Sequence, residues 1–315
     1  MKNFLKYLRA LPFINYPVRM TARALFPRRS RAYRFFTLHW PVYGLISFSL
    51  PAGERVRMYS EGDDYVSTQA FWKGYTGYEG ASVQLFYHLS KRAKGIVDVG
   101  ANVGYFTLIA GKANPSAKIF SFEPVETICE RLKRNVRMNS LANVQVECCA
   151  AGNKEETIAF YVPKVEGLPL AGSTKKGWHG DTREEQVPAV TLDAYAERQR
   201  AKIDLVKMDC EFHEVEVLQG MTRVLREDKP VLLMEVLFPG QEGITAHFQT
   251  DSHSQIETLM RANGYFFYRI GPNELRRVDK LEHNPDERNF IFSAKRSEKK
   301  ILPYSGMEQL LDAIC

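Results

Sequence analysis

The chain has 315 residues, 44% of them hydrophobic, enough to bury a substantial core and to exclude a disordered or low-complexity polypeptide. Lysine and arginine number 43 against 37 acids, a net charge of +6. No apolar run reaches the roughly 20 residues of a membrane-spanning helix, and the seven histidines show no zinc-ligand spacing. The first fifty residues hold nine basic residues (Lys2, Lys6, Arg9, Arg19, Arg23, Arg28, Arg29, Arg31, Arg34) and no acid. Removing those nine leaves 34 basic residues against 37 acids, a net of −3, so the basic arm carries the whole positive balance. Phe4, Leu5, Tyr7, Leu8, Leu11, Phe13 and Ile14 interleave with it and predict an amphipathic basic helix up to about Pro17, of the kind that lies on anionic membranes. Lys6 and Arg9 interrupt the apolar run, which argues against a secretory signal. A transit segment, a helix packed on the core and a solvated arm are the alternatives. The organisation read from the chain is an arm (1–50), a main domain (51–296) and a C-terminal tail (297–315).

Next comes Gly95 to Gly111, GIVDVGANVGYFTLIAG. A β-branched run (Ile96, Val97, Val99) around Asp98, a turn with Gly100 and Gly104, and an apolar run (Phe106, Leu108, Ile109, Ala110) predict strand, turn and helix. An α/β sheet makes room for a nucleotide-like ligand in this way. A dinucleotide fingerprint requires Gly-x-Gly-x-x-Gly, but counting from Gly100 those places hold Gly100, Asn102 and Tyr105. Asp-x-Gly-x-x-x-Gly stands instead, and it resembles the cofactor turn of class I methyltransferases that use S-adenosylmethionine. Such a turn needs an acid near the methionine ammonium and bare backbone against the cofactor. Lys118 to Phe122 predicts a buried second strand ending at Glu123-Pro124, an acid placed to bind two ribose hydroxyls. A helix follows over Val125 to Asn139, with Ile128, Leu132, Val136 and Met138 at roughly helical spacing.

The alternation continues with strands at Val144 to Cys149, Ile203 to Met208, Val231 to Met234, Tyr265 to Ile270 and Phe290 to Ala294, and helical runs at Leu218 to Leu225 and Ile256 to Ala262. This pattern predicts an α/β, doubly wound, mostly parallel sheet. A closing pair of strands fits a class I methyltransferase, Rossmann-like plan with an antiparallel edge strand. Between the third and fourth strands, Gly152 to Ala189 forms a polar insertion with two short predicted strands (Thr157 to Val162, Glu185 to Val190), placed to shape an acceptor pocket. The five cysteines (Cys129, Cys148, Cys149, Cys210, Cys315) are odd in number and lack extracellular-style spacing, which predicts reduced thiols and a cytoplasmic location.

The order GYEG (Gly77 to Gly80), DVGANVGYFTL (Asp98 to Leu108), FEP (Phe122 to Pro124), TLDAY (Thr191 to Tyr195), DLVKMDCEFHEVEVLQG (Asp204 to Gly220) and PVLLMEV (Pro230 to Val236) resembles the FkbM family of methyltransferases, over about Pro51 to Ala294. The resemblance implies S-adenosylmethionine as cofactor, held by Glu79, Asp98, Gly100, Asn102, Gly104, Glu123, Ala150 and Asp209, and O-methylation of a sugar or related small molecule. Where the family shows Lys-Ile-Asp-x-Glu-Gly-x-Glu, this chain has Lys207, Met208, Asp209, Cys210, Glu211, Phe212, His213 and Glu214, so Phe212 replaces a glycine. A positive φ there would strain it.

Methyl transfer to a hydroxyl needs the acceptor oxygen held in line and its proton removed. The catalytic candidates are Asp209, Glu211 and Glu235, since two neighbouring carboxylates raise one pKa toward a useful value; the same cluster is also a candidate for a divalent metal. His213, whose ordinary pKa lies near neutrality, is a weaker candidate because it opens a helix, where polar residues are common. Lys207 reads as an orienting ammonium among the carboxylates. Against O-methylation stand an RNA methyltransferase, argued only by the basic arm, and a cofactor-binding pseudo-enzyme serving as an assembly module. The turn Asp209-Cys210-Glu211-Phe212 is not the Asn/Asp-Pro-Pro-aromatic loop of base methylation, and an acidic main domain opposes wide phosphate contact.

Overall fold

The computed structural model describes residues 11–28, 30–165, 167–169, 172–178, 180–238, 251–284 and 286–315. Helices Pro12–Leu25 and Arg31–His39 lead into an antiparallel hairpin, β1 (Tyr43–Ser49) and β2 (Arg55–Glu61), and then to helices Tyr65–Lys73 and Gly80–Ser90. The alternating part follows: β3 (Gly95–Val99), helix Tyr105–Ala113, β4 (Lys118–Phe122), helix Glu126–Met138 and β5 (Val144–Glu147). Short β6 (Ala150–Ala151) joins β7 (Glu156–Pro163) and β8 (Thr182–Val190) in a separate three-stranded sheet. Helix Leu192–Arg198 returns the chain to β9 (Leu205–Met208), followed by helix Glu214–Gln219, a π-helical turn Val224–Asp228 and β10 (Val231–Glu235). Helix Ser252–Ala262, β11 (Phe266–Ile270), β12 (Glu274–Val278), β13 (Asn289–Ser293), β14 (Ile301–Pro303) and helix Met307–Ile314 close the order.

The main sheet runs β14-β12-β11-β13-β10-β9-β3-β4-β5. Strands β10, β9, β3, β4 and β5 pair in parallel, with β4 and β5 on one side of β3 and β9 and β10 on the other. That reversal of strand order is a topological switch point, and ligands bind at the carboxyl ends of the strands there. All five residues of β3 are buried, so the sheet is covered on both faces, with Asp98 the one charged residue of the strand. The two larger apolar clusters of the core between them take in alternate β3 residues, Ile96 in one and Val97 and Val99 in the other.

The α/β, mostly parallel architecture is the one expected, and the antiparallel strands gather at one side of the sheet. The reversed strand β13 does not form the rim, however. It inserts between β10 and β11, and β12 and β14 extend the sheet beyond them. Those two strands escaped prediction because β14 has three residues and β12 buries only Leu275 of its five.

Residues 297–315 are no tail. Leu310, Leu311 and Ile314 are buried in the core, and Ser293 Oγ donates to the Ile314 carbonyl. The boundary at residue 50 falls inside the β1–β2 hairpin. The amphipathic helix expected to end near Pro17 runs from Pro12 to Leu25, passing through Pro17 at the loss of one backbone bond; its predicted start at residues 1–10 lies outside the described residues. Asn15 Nδ2 donates to the Pro41 carbonyl (2.9 Å) and Arg19 Nη1 to that of Tyr43 (2.7 Å), which docks the helix on the hairpin.

The expectation of reduced thiols is also corrected. Cys129, on helix Glu126–Met138, forms a disulfide with Cys148 just after β5, their Cα atoms 5.6 Å apart. Nineteen residues separate them in sequence, and only the β4-helix-β5 crossover brings them together. Among the described residues no helix is long and apolar enough to cross a membrane.

Candidate active site

The switch point opens into a pocket whose floor is Gly100 to Val103, after β3. Its walls are Glu123 and Pro124 after β4, Cys149 to Ala151, and Asp209 to Glu211 with His213 after β9. Glu235 closes it from the end of β10, and Phe160 and Gly172 reach it from the insertion.

The β3–β4 half is built mostly from backbone. Gly100 adopts φ +73°, and a Cβ there would lie 1.8 Å from the Asp209 carbonyl oxygen, so no other residue fits. Its N–H donates to the Phe122 carbonyl. Glu123, 5% exposed, accepts the Asn102 N–H on one oxygen (2.9 Å) and the Val125 N–H on the other (3.0 Å). Burial pushes its pKa up to about 7 against those amides. Each oxygen keeps a lone pair for a ligand hydroxyl. Ala150 lines the same side.

Asp98 is fully buried beneath the pocket. Thr107 Oγ1 donates to its Oδ2 (2.6 Å), whereas Oδ1 has no partner. An orphaned buried carboxylate oxygen is costly unless a ligand cation or N–H reaches it. Gly104, at φ +96°, opens helix Tyr105–Ala113, where a Cβ would meet Leu132 Cδ1 at 2.4 Å. Its missing side chain serves helix packing.

The β9–β10 half is built from carboxylates. Oxygens of Glu79, Asp209 and Glu235 all lie within 4.8 Å of one another. Lys207, 4% exposed, places Nζ 3.3 Å from Asp209 Oδ2 and 4.9 Å from the Phe106 ring centroid. Burial alone would depress this ammonium, but Asp209, Asp98 and Glu79 outweigh it and hold its pKa above the ordinary lysine value. It is paired among the carboxylates.

Burial, reinforced by Asp209 and Glu214, raises Glu211 to about 8. Glu79 rises to about 7, mainly through burial, with Lys207 opposing and Asp209 adding to it. Glu235 is raised well above its ordinary value by burial and by Asp209, Glu79 and Glu211, while Arg288 Nη1 at 3.6 Å opposes. Glu79, Glu211 and Glu235 are therefore held above the range of ordinary surface carboxylates. Oxygen ligands at these separations suit a hard divalent ion; the triad would be Glu79, Asp209 and Glu235, with Lys207 already supplying one positive charge.

The turn after β9 has positive φ at both Glu211 (51°) and Phe212 (70°), so phenylalanine stands where the backbone favours glycine. Strain of this kind costs about 1–3 kcal/mol. The compensation is packing: Phe212 is fully buried in a small cluster with Trp178 and Leu237. The insertion clasps the same turn. Ser173 Oγ donates to the Glu211 carbonyl, Thr174 Oγ1 lies 2.9 Å from His213 Nδ1, and Lys175 pairs with Glu216. Glu216 Oε2 is 3.4 Å from the same His213 nitrogen. His213 is thus held in place, with Nε2 buried and without a partner.

Sequence reasoning gave no role to Tyr78, Cys149 or Arg288. Tyr78 and Cys149 line the pocket, and Arg288 reaches Glu235. Tyr78 stood inside the GYEG motif; Arg288 had no local signal, because β13 brings its neighbour Asn289 opposite Glu235.

Residues 98–267, more than half of the chain, match the family model described as the methyltransferase FkbM domain, and the chain belongs to that family. It is 28% identical over 231 residues to methyltransferase sdnD of Sordaria araneosa, across 64% of this chain and 81% of that protein. It is 29% identical over 143 residues to Methyltransferase 1 of Beauveria bassiana (strain ARSEF 2860), across 40% of this chain and 57% of that relative. The chain therefore spans little more than half the length of the latter. Among solved structures it is similar to methyltransferase FkbM from Methylobacillus flagellatus KT, at 17% identity and a TM-score of 0.40, covering 73% of this chain and 55% of that one.

Proposed function

We propose that this FkbM-family methyltransferase uses S-adenosylmethionine as methyl donor and delivers the methyl group to a hydroxyl of a sugar, glycan or related small molecule. The observation that carries the reading is one pocket joining a glycine turn and the backbone-pinned Glu123 to buried carboxylates, among them Glu211 and Glu235, with raised pKa values. The residues fit the cofactor: Asp98 offers an orphaned buried oxygen for an ammonium, Glu123 offers two pinned oxygens for a ribose diol, and Gly100 leaves the floor bare. When bound, the cofactor supplies an electrophilic methyl on a sulfonium. The chain's own work is then to hold a hydroxyl in line and to take its proton. Glu235 and Glu211 face the pocket and are stronger bases than ordinary carboxylates once ionised, and Lys207 fixes Asp209 beside them. Phe160 and Gly172 extend the wall on which the rest of the acceptor would lie.

The pH dependence has a definite sign. A carboxylate with a raised pKa is protonated below it, where it neither balances a cation nor accepts a proton. Cofactor affinity and turnover should both rise between about pH 6 and 8, the range set by Glu123 and Glu211. Titration calorimetry across that range tests the cofactor. Affinity that is flat with pH, or a preference for NAD, would remove the assignment. Mass spectrometry of glycans and lipids from a host with and without the gene tests the acceptor, the expected difference being the loss of one methyl on oxygen.

A further inference from the structure

Ordinary surface helices turn polar side chains outward. Helix Pro12–Leu25 is inverted: Asn15 and Arg19 are buried (1% and 2% exposed), while Phe13, Tyr16 and Met20, at i, i+3 and i+7, are 72%, 55% and 40% exposed. Leu25 at its end and Phe35 and Leu38 on helix Arg31–His39 are exposed as well. Of the ten large hydrophobic residues exposed among the described residues, these two helices supply six, so the feature is a patch and not scatter. Exposed Arg28, Arg31 and Arg34 accompany it, and no acid precedes Glu54. Leu38 also lines a second cleft with Trp40, Tyr65 and Val165, so the apolar face continues into that cleft.

We propose that these two helices form a docking face for an anionic lipid bilayer. Exposed apolar side chains on two helices that carry exposed arginines and no acid of their own match the acyl boundary and the phosphate layer of such a surface. A second copy of the chain fits less well, because a self-complementary contact would set arginine-rich faces against each other. The inference does not depend on the acceptor proposed above.

Co-sedimentation of the full chain with vesicles tests it. The protein should pellet with phosphatidylcholine vesicles containing phosphatidylglycerol, pellet little with phosphatidylcholine alone, and bind less as salt rises. Each of Arg28→Glu and Arg31→Glu should weaken partitioning about fivefold or more. The triple variant Phe13→Ser, Met20→Ser, Leu38→Ser should weaken it more than about tenfold, with circular dichroism and cofactor affinity unchanged. Should that variant misfold, the two arginine variants decide alone. Binding that ignores lipid charge, variants that pellet like the parent, or a dimer in sedimentation velocity that the triple variant dissolves would each overturn the proposal.

Discussion

The two halves of the pocket are built on different principles. The β3–β4 half rests on hydrogen bonds between a carboxylate and backbone amides about twenty residues apart, and on a glycine that nothing else can replace. The β9–β10 half gathers Glu79, Asp209, Glu211 and Glu235 from three distant stretches, holds three non-glycine residues (Glu79, Glu211 and Phe212) in the left-handed region, and is clasped by an insertion. The first half is locally encoded. The second gathers charge that only the assembled fold sustains, and it holds more of the left-handed non-glycine positions than the first, where Asn102 is the one such residue.

Kinetics should separate the halves most widely. Glu211→Gln and Glu235→Gln should keep cofactor affinity and lose about 10²–10⁴-fold in turnover, the range for a missing general base. Glu123→Ala should instead lose affinity, since it removes charge-assisted hydrogen bonds worth roughly 1.5–3 kcal/mol each before compensation. Asp209→Asn, touching both halves through Lys207, should damage both parameters. Equal losses of affinity from all these variants in calorimetry and steady-state assays would erase the distinction.

The disulfide sharpens the comparison from the locally encoded side. Cys129 and Cys148 flank pocket residues Ile128 and Cys149, so the bridge ties the helix after Glu123 to the wall after β5. Cys129→Ser should cost about 3 kcal/mol in urea unfolding, the scale for a loop of this length, and should weaken cofactor binding more than it alters the response to the glutamine variants. Denatured but unreduced protein should titrate three thiols, Cys149, Cys210 and Cys315. Five would mean that no bridge forms.

Phe212→Gly probes the strained side with the smallest expected effect. Relief of backbone strain returns about 1–3 kcal/mol, while deleting a buried phenylalanine costs about 3–5 kcal/mol. The balance is a net destabilisation of about 2 kcal/mol, read as a lower urea midpoint. A stabilised variant would show that the packing with Trp178 and Leu237 contributes less than the strain.

Legibility followed the same division. Gly100, Glu123 and the strand-helix alternation were readable because β-branched runs, a glycine turn and a strand-end acid act over a few residues. The packing of Gly104 against Leu132, on the next helix, was not readable from the turn alone. The Cys129–Cys148 bridge, the buried C-terminal helix and the inserted position of β13 were not readable, because spacing and composition say nothing about which segments a sheet brings side by side.

By itself, then, the sequence determined the parallel α/β alternation, the glycine turn after β3 and the identity of the acids after β9 and β10. Short-range periodicity and turn chemistry suffice for those. Only the tertiary structure decided that Glu79 meets Asp209 and Glu235, that Arg288 opposes Glu235, that Phe212 occupies a left-handed turn, and that the apolar side chains of the first helix face outward. These depend on desolvation and proximity between distant segments, which exist only once the sheet order has set which strand ends converge.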